Sequence, residues 1–142
     1  MIFSTELPKY RYSACAVSLW LCLGWSQTAH AACTLTPTGG NDNYVCDSAS
    51  SGPLTDLSGN NTLTFPANGT GTINGAVTFG AGVDRVLMGS GTITGVLDQG
   101  DGANILQIDN GQITGEVHQH SGIDTFIMNG GSIQSLAQGD GL

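Results

Sequence analysis

The sequence predicts an all-β parallel β-helix with about 20 residues per coil, and three observations carry that expectation. Blocks Gly75 to Thr94, Gly95 to Thr114 and Gly115 to Gln134 align without a gap. Apolar residues within each block fall at alternate positions, which is the period of a strand with one buried face. Glycine returns at the same places in every block, where a tight coil has to turn.

The chain begins with a segment that reads as an export signal. Lys9 and Arg11 precede an apolar run from Ala14 to Trp25, and Ala29-His30-Ala31 follows with small residues at the positions a signal peptidase reads. The run is short for a bilayer span. Residues 1–31 are therefore expected to be a signal peptide cleaved after Ala31. Cleavage would remove Cys15 and Cys22 and leave Cys33 and Cys46, which are expected to pair in an oxidising compartment. Closing that loop contributes about 3 kcal/mol in the chain-entropy picture.

Residues 32–60 are rich in Thr, Ser, Gly, Pro and Asn and show no clear period, so they are expected to form a loop-like leader or cap. Asn60-Asn61-Thr62 and Asn68-Gly69-Thr70 match the glycosylation acceptor pattern, but such triplets arise readily in Asn/Thr/Gly-rich turns. Residues 61–142 are expected to hold the coils. An imperfect copy spans Thr62 to Asn74, and a last copy starts at Ser135 one residue short.

Four apolar columns run through the coils: Val86, Leu106 and Phe126; Met88, Ile108 and Met128; Ile73, Ile93, Ile113 and Ile133; Val77, Leu97 and Val117. The residues between them are mostly polar. The corner columns are Gly82, Gly102 and Gly122; Gly91, Gly111 and Gly131; and Gly75, Gly95 and Gly115. These turn glycines are read as structural, supplying positive φ and letting corners stack closely. About four coils make a short stack with open strand edges, and the last one stops mid-coil. A longer parent chain is expected for that reason.

The charge balance narrows the partners. Removing Glu6, Lys9 and Arg11 leaves ten acids against Arg85, a net charge of about −9. A segment with one cation cannot neutralise a phosphate backbone, so nucleic acid is excluded as a partner, and anionic membrane surfaces fit equally poorly.

Candidate site residues are few. The stretch Gly80-Ala81-Gly82-Val83-Asp84 resembles one copy of a calcium-binding repeat, and Asp84, Asn104 and Asp124 are weak calcium candidates. Calcium repeats recur every nine residues, however, and the middle block carries an amide. The preferred reading is that these side chains bond their own backbone two residues on and fix the turn. Glu116, His118 and His120 share one strand face, with Asp98 a coil below, and two histidines at this spacing suit zinc or copper. The neighbouring coils add Thr78 and Asp98 rather than more histidines, so a solvated pair is preferred. No cofactor is expected, nor any catalytic residue: there is no clustered acid–base set and no nucleophile elbow. The outward ladder Thr72/Asn74, Thr92/Thr94, Gln112/Thr114 and Ser132/Gln134 is too irregular to match an ice lattice.

The export signal, the acidic Gly/Thr/Asn-rich start and the coils best seen at Gly122-Ile123-Asp124-Thr125-Phe126-Ile127-Met128-Asn129-Gly130-Gly131-Ser132-Ile133 resemble the passenger domains of bacterial autotransporters. The resemblance covers roughly residues 55–142 together with the signal. It implies a right-handed β-helix on the surface of a Gram-negative bacterium or released from it, acting in adhesion or virulence on a protein or glycan ligand. It also implies an outer-membrane barrel as translocator, which this sequence lacks. The alternatives are the N-terminal scaffold of a longer secreted enzyme and a calcium-binding repeat protein.

Overall fold

A computed structural model describes residues 32–141. The signal segment with its cleavage position at Ala31 lies outside the described residues. Among the described residues every element is a β-strand.

The strands fall into five coils. The first holds β1 (Asn43–Val45), β2 (Ser50–Ser51) and β3 (Leu54–Asp56), and the second β4 (Thr62–Phe65), β5 (Thr72–Ile73) and β6 (Val77–Phe79). The third holds β7 (Arg85–Met88), β8 (Thr92–Ile93) and β9 (Leu97–Asp98). In the fourth, β10 (Ile105–Ile108) is followed by the long β11 (Gln112–Gln119), and in the fifth β12 (Thr125–Met128) by β13 (Ser132–Gln138). All pairing between these strands is parallel, and each strand bonds to its counterpart one coil away. One sheet runs β1-β4-β7-β10-β12. The other side is carried by β2-β5-β8 and β3-β6-β9, which β11 joins into a single sheet, with β13 paired to β11. This is a parallel β-solenoid.

The 20-residue register holds where the repeat was legible. Arg85 pairs with Ile105 and Ile105 with Thr125, while Ile93 pairs with Ile113 and Val77 with Leu97. The alternation then places one face of each strand inside. Val86, Leu106, Ile108, Ile73, Ile93, Ile113, Val77, Leu97 and Val117 are buried, and Leu63, Phe65 and Leu54 extend the same columns toward the N-terminus. Like side chains stack in registered layers, which buries apolar area without needing a second domain. At the last coil the packing is one-sided. Phe126, Ile133 and Leu136 are only partly buried, and Met128 is exposed.

The first coil departs from expectation. Residues 43–56, read from sequence as an aperiodic leader, are strands of the solenoid, so there are five coils where four were expected. Spacing explains why the coil was hidden: Asn43 pairs with Thr62, 19 residues on, but Thr62 pairs with Arg85, 23 on, and Leu54 with Val77, also 23 on. Extra loop residues break a fixed-period comparison while leaving the strand register intact. Residues 32–42 do lie against this coil. Ala32 and Thr34 form bridges with Ser48 and Val45, and Cys33 is disulfide-bonded to Cys46.

The shorter last coil leaves a mark too. The β11–β13 register shifts between Ile113 and Glu116: Ile113 pairs with Ile133, 20 on, but Val117 with Leu136, 19 on.

Candidate functional site

The residues singled out in the sequence occupy one corner and one outer face of the coil. The corner lies just before β4, β7, β10 and β12, at Asn61, Asp84, Asn104 and Asp124. Here the strands end and the corner backbone must find hydrogen-bond partners elsewhere. The side chains supply them between coils. The Asp42 N–H donates to Asn61 Oδ1 (3.0 Å), the Asn61 N–H to Asp84 Oδ1 (2.7 Å), the Asp84 N–H to Asn104 Oδ1 (3.0 Å) and the Asn104 N–H to Asp124 Oδ1 (2.9 Å). The carbonyls of Asp42, Asn61, Asp84 and Asn104 in turn accept the N–H of Thr62, Arg85, Ile105 and Thr125. Each rung is therefore fastened twice.

This corrects the sequence reading of these residues. Their oxygens do not cap their own turns two residues on; they bridge to the preceding coil. A five-membered column of Asp and Asn results, with Asp42 and Asn61 as members that sequence reading missed. Asn61, Asp84 and Asn104 are fully or almost fully buried. The two amides also donate outward from the column, Asn61 Nδ2 to the Ser58 carbonyl (3.1 Å) and Asn104 Nδ2 to the Gly100 carbonyl (3.0 Å). Asp84 has no amide to offer there, and its Oδ2 is buried without a hydrogen-bond partner. Burial is the main cause that pushes the Asp84 carboxyl above the ordinary aspartate value.

A second buried polar column stands beside the first. Gln99 and Gln119 occupy inward positions, and Gln119 Nε2 donates to Gln99 Oε1 (3.0 Å) while Gln138 Nε2 donates to Gln119 Oε1 (2.9 Å). Gln99 Nε2 reaches the carbonyls of Asp84 (3.3 Å) and Ile105 (3.2 Å), which ties the two columns together. One coil below Gln99 the same place is filled by Phe79. Sequence reading missed these glutamines. Their signal was the alternation itself, because Leu97-Asp98-Gln99 and Val117-His118-Gln119 put glutamine where an inward residue is required.

Near the N-terminal end a third buried polar contact appears. The Tyr44 hydroxyl donates to Asp56 Oδ2 (2.7 Å), both residues being almost completely buried. Burial first, and then the Asp56 carboxylate, raises the tyrosine far above its ordinary value.

The turn glycines divide by cause. Gly91, Gly102, Gly122 and Gly131 have positive φ, as expected, but Gly82 and Gly111 do not. Those two are required by proximity alone: a Cβ on Gly82 would run into the Gly59 carbonyl, and one on Gly111 would lie 2.7 Å from the Ser90 oxygen. Asn60, in the first of the two acceptor triplets, uses its side-chain oxygen to accept the Val83 N–H (2.8 Å).

The outer face carries Glu116, His118 and His120, with Asp98 in register beside His118. The four side chains sort into two pairs, His118 Nε2 with Glu116 Oε2 (3.1 Å) and His120 Nε2 with Asp98 Oδ1 (3.0 Å). The histidine rings are 6.2 Å apart, centre to centre, and solvent reaches both. Among the described residues, no group of three or more His, Cys, Asp and Glu side chains is arranged to hold a metal ion. Nearby, Asp101 Oδ1 accepts from Ser121 Oγ (2.7 Å) and Asp109 Oδ1 from Asn129 Nδ2 (2.7 Å), and these hydrogen bonds hold both carboxyls below their ordinary value. The surface depressions are shallow; one is bordered by Asp98, Gly100, Asp101 and His120, another by Ile123, Asp124 and Gln138 at the last coil.

No protein-family model, curated protein or solved structure matches the chain.

Proposed function

We propose that this chain is an exported β-helical passenger segment of the autotransporter type, surface-exposed or released, which serves as a structural stalk or an interaction module rather than an enzyme. The observation that carries the reading is the parallel five-coil stack, whose buried Asp/Asn corner and glutamine column hold one coil to the next. A solenoid of this kind extends a surface outward at constant cross-section, which suits presentation to a protein or glycan. The Cys33–Cys46 disulfide fits an oxidising compartment outside the cytoplasm. The apolar run and Ala29-His30-Ala31 motif fit export through the inner membrane. An outer-membrane barrel, in the same or a separate polypeptide, would then carry it to the surface.

The reading is tested by expressing the whole chain in a Gram-negative bacterium, fractionating the cells and measuring the intact mass of the product. The expected product starts at Ala32, lies outside the cytoplasm and has its two remaining thiols oxidised. An unprocessed chain beginning at Met1 and retained in the cytoplasm would refute export. Display of the exported segment through a fused barrel then tests the interaction role, with increased attachment of cells to one another or to a glycan-coated surface as the expected result.

A further inference from the structure

Asp84 is the one member of the Asp/Asn column that is completely buried and carries a carboxyl group. The neighbouring rungs define what its place in the coil requires. Asn61 and Asn104 each accept a backbone N–H with Oδ1 and donate with Nδ2 to a carbonyl three or four residues earlier. Asp84 Oδ1 accepts the Asn61 N–H as an amide oxygen would. Its Oδ2 takes the position of the amide nitrogen, and it has no donor to accept from. By the 20-residue register the carbonyl corresponding to Gly100 is that of Gly80.

We propose that Asp84 sits in the stack as the carboxylic acid, with its Oδ2 hydroxyl donating to the chain carbonyl that asparagine reaches at equivalent rungs, so that one proton closes the corner between the second and third coils. A neutral acid has the donor and acceptor pattern of a primary amide with one fewer hydrogen, whereas a carboxylate has no donor. An ionised carboxylate here would be buried, desolvated and set against a carbonyl.

The surroundings favour the neutral form. From β3 the titratable group facing Asp84 is Asp56, a like charge held by Tyr44 of β1. From the adjacent coils the facing side chains are Asn61 and Asn104, and from the residue after β9 Gln99, which carry no charge. Arg85 is next in sequence but exposed on the opposite side of the strand. Burial raises the Asp84 carboxyl above 3.8; the hydrogen bond from Asn61 opposes this in part, and Asp56 adds to the rise. With the folded value above the unfolded one, the folded state binds the proton more tightly. Stability from this group is thus fully present below 3.8 and is lost as pH rises through the folded value. Asp42, Asp101 and Asp109, whose folded values are lowered, act with the opposite sign and below 3.8, so the two windows do not overlap.

The test uses the full chain labelled with carbon-13 at the aspartate carboxyls, as wild type and as Asp84→Asn. The expected result is a carboxyl resonance that remains in the protonated range as pH rises above 3.8, and that is missing from the variant. Between 3.8 and the pH at which that resonance titrates, the folded-to-unfolded ratio of the wild type falls about tenfold per pH unit beyond the trend of the variant, read from urea midpoints. Either of two results would overturn the proposal: all aspartate carboxyls ionising at or below 3.8, or a late-titrating resonance that persists in Asp84→Asn. If Asp84→Asn folds poorly, the late-titrating resonance is assigned on the wild type by through-bond correlation to the backbone of its own residue, and its assignment to any aspartate other than Asp84 would overturn the proposal.

Discussion

At the scale of single residues, the corner column turns polar side chains into structural ties. Asn104 is buried, accepts the Asp84 N–H and donates to the Gly100 carbonyl. Asn104→Ala removes both bonds and strands the Asp84 N–H inside the coil, while the Gly100 carbonyl keeps the His120 N–H. The expected cost is about 1–3 kcal/mol, read as a lower urea midpoint. Gly102 is constrained differently. It has φ +124°, and a Cβ there would strike the carbonyl oxygen of Gly82. Gly102→Ala should cost at least about 1–2 kcal/mol for the positive φ alone. Gly52, with open space around it, is the control at which the same change should be close to neutral. Equal midpoints for the two variants would contradict the close stacking of corners.

At the scale of elements, the strands were legible and their polar interior was not. Val86, Leu106, Met88, Ile108 and the isoleucine column declared themselves by alternation and by recurrence at a fixed interval. The coil of β1 to β3 did not, because its spacing to the next coil varies, 19 residues at Asn43 and 23 at Leu54, and its interior includes Asp56 and Tyr44 in place of aliphatic residues. Sequence reading placed Asp84, Asn104 and Asp124 in one column correctly but assigned them local partners. A side chain's acceptor can be inferred from its type, yet the donor it meets depends on which backbone the stack brings above or below it. The glutamines show the same limit: periodicity marks Gln99 and Gln119 as inward, and only stacking shows that they satisfy each other. Gln119→Leu keeps the volume but leaves Gln99 Oε1 without its donor, so it should destabilise the fold by about 1–3 kcal/mol even though an apolar residue enters the core. A more stable Gln119→Leu variant would mean that the Gln119–Gln99 hydrogen bond contributes no net stability.

At the scale of the whole molecule, the described residues form a solenoid fastened by hydrogen bonds between coils, with a disulfide-bonded segment against its first coil. Its net charge of −8 for the full chain favours solubility and opposes association with polyanions. The central claim is that the Asp/Asn corner ties coils together directly, with backbone N–H groups where a calcium repeat would place its ion. The most direct measurement is thermal unfolding of the chain followed by far-UV circular dichroism, once with calcium and once with chelator. Superimposable β-rich transitions with the same midpoint are expected, because Asp84 Oδ1, Asn104 Oδ1 and Asp124 Oδ1 are already occupied by the Asn61, Asp84 and Asn104 N–H groups. A midpoint that rises with calcium, or a β signal that is lost with chelator, would contradict it and make the corner a calcium site.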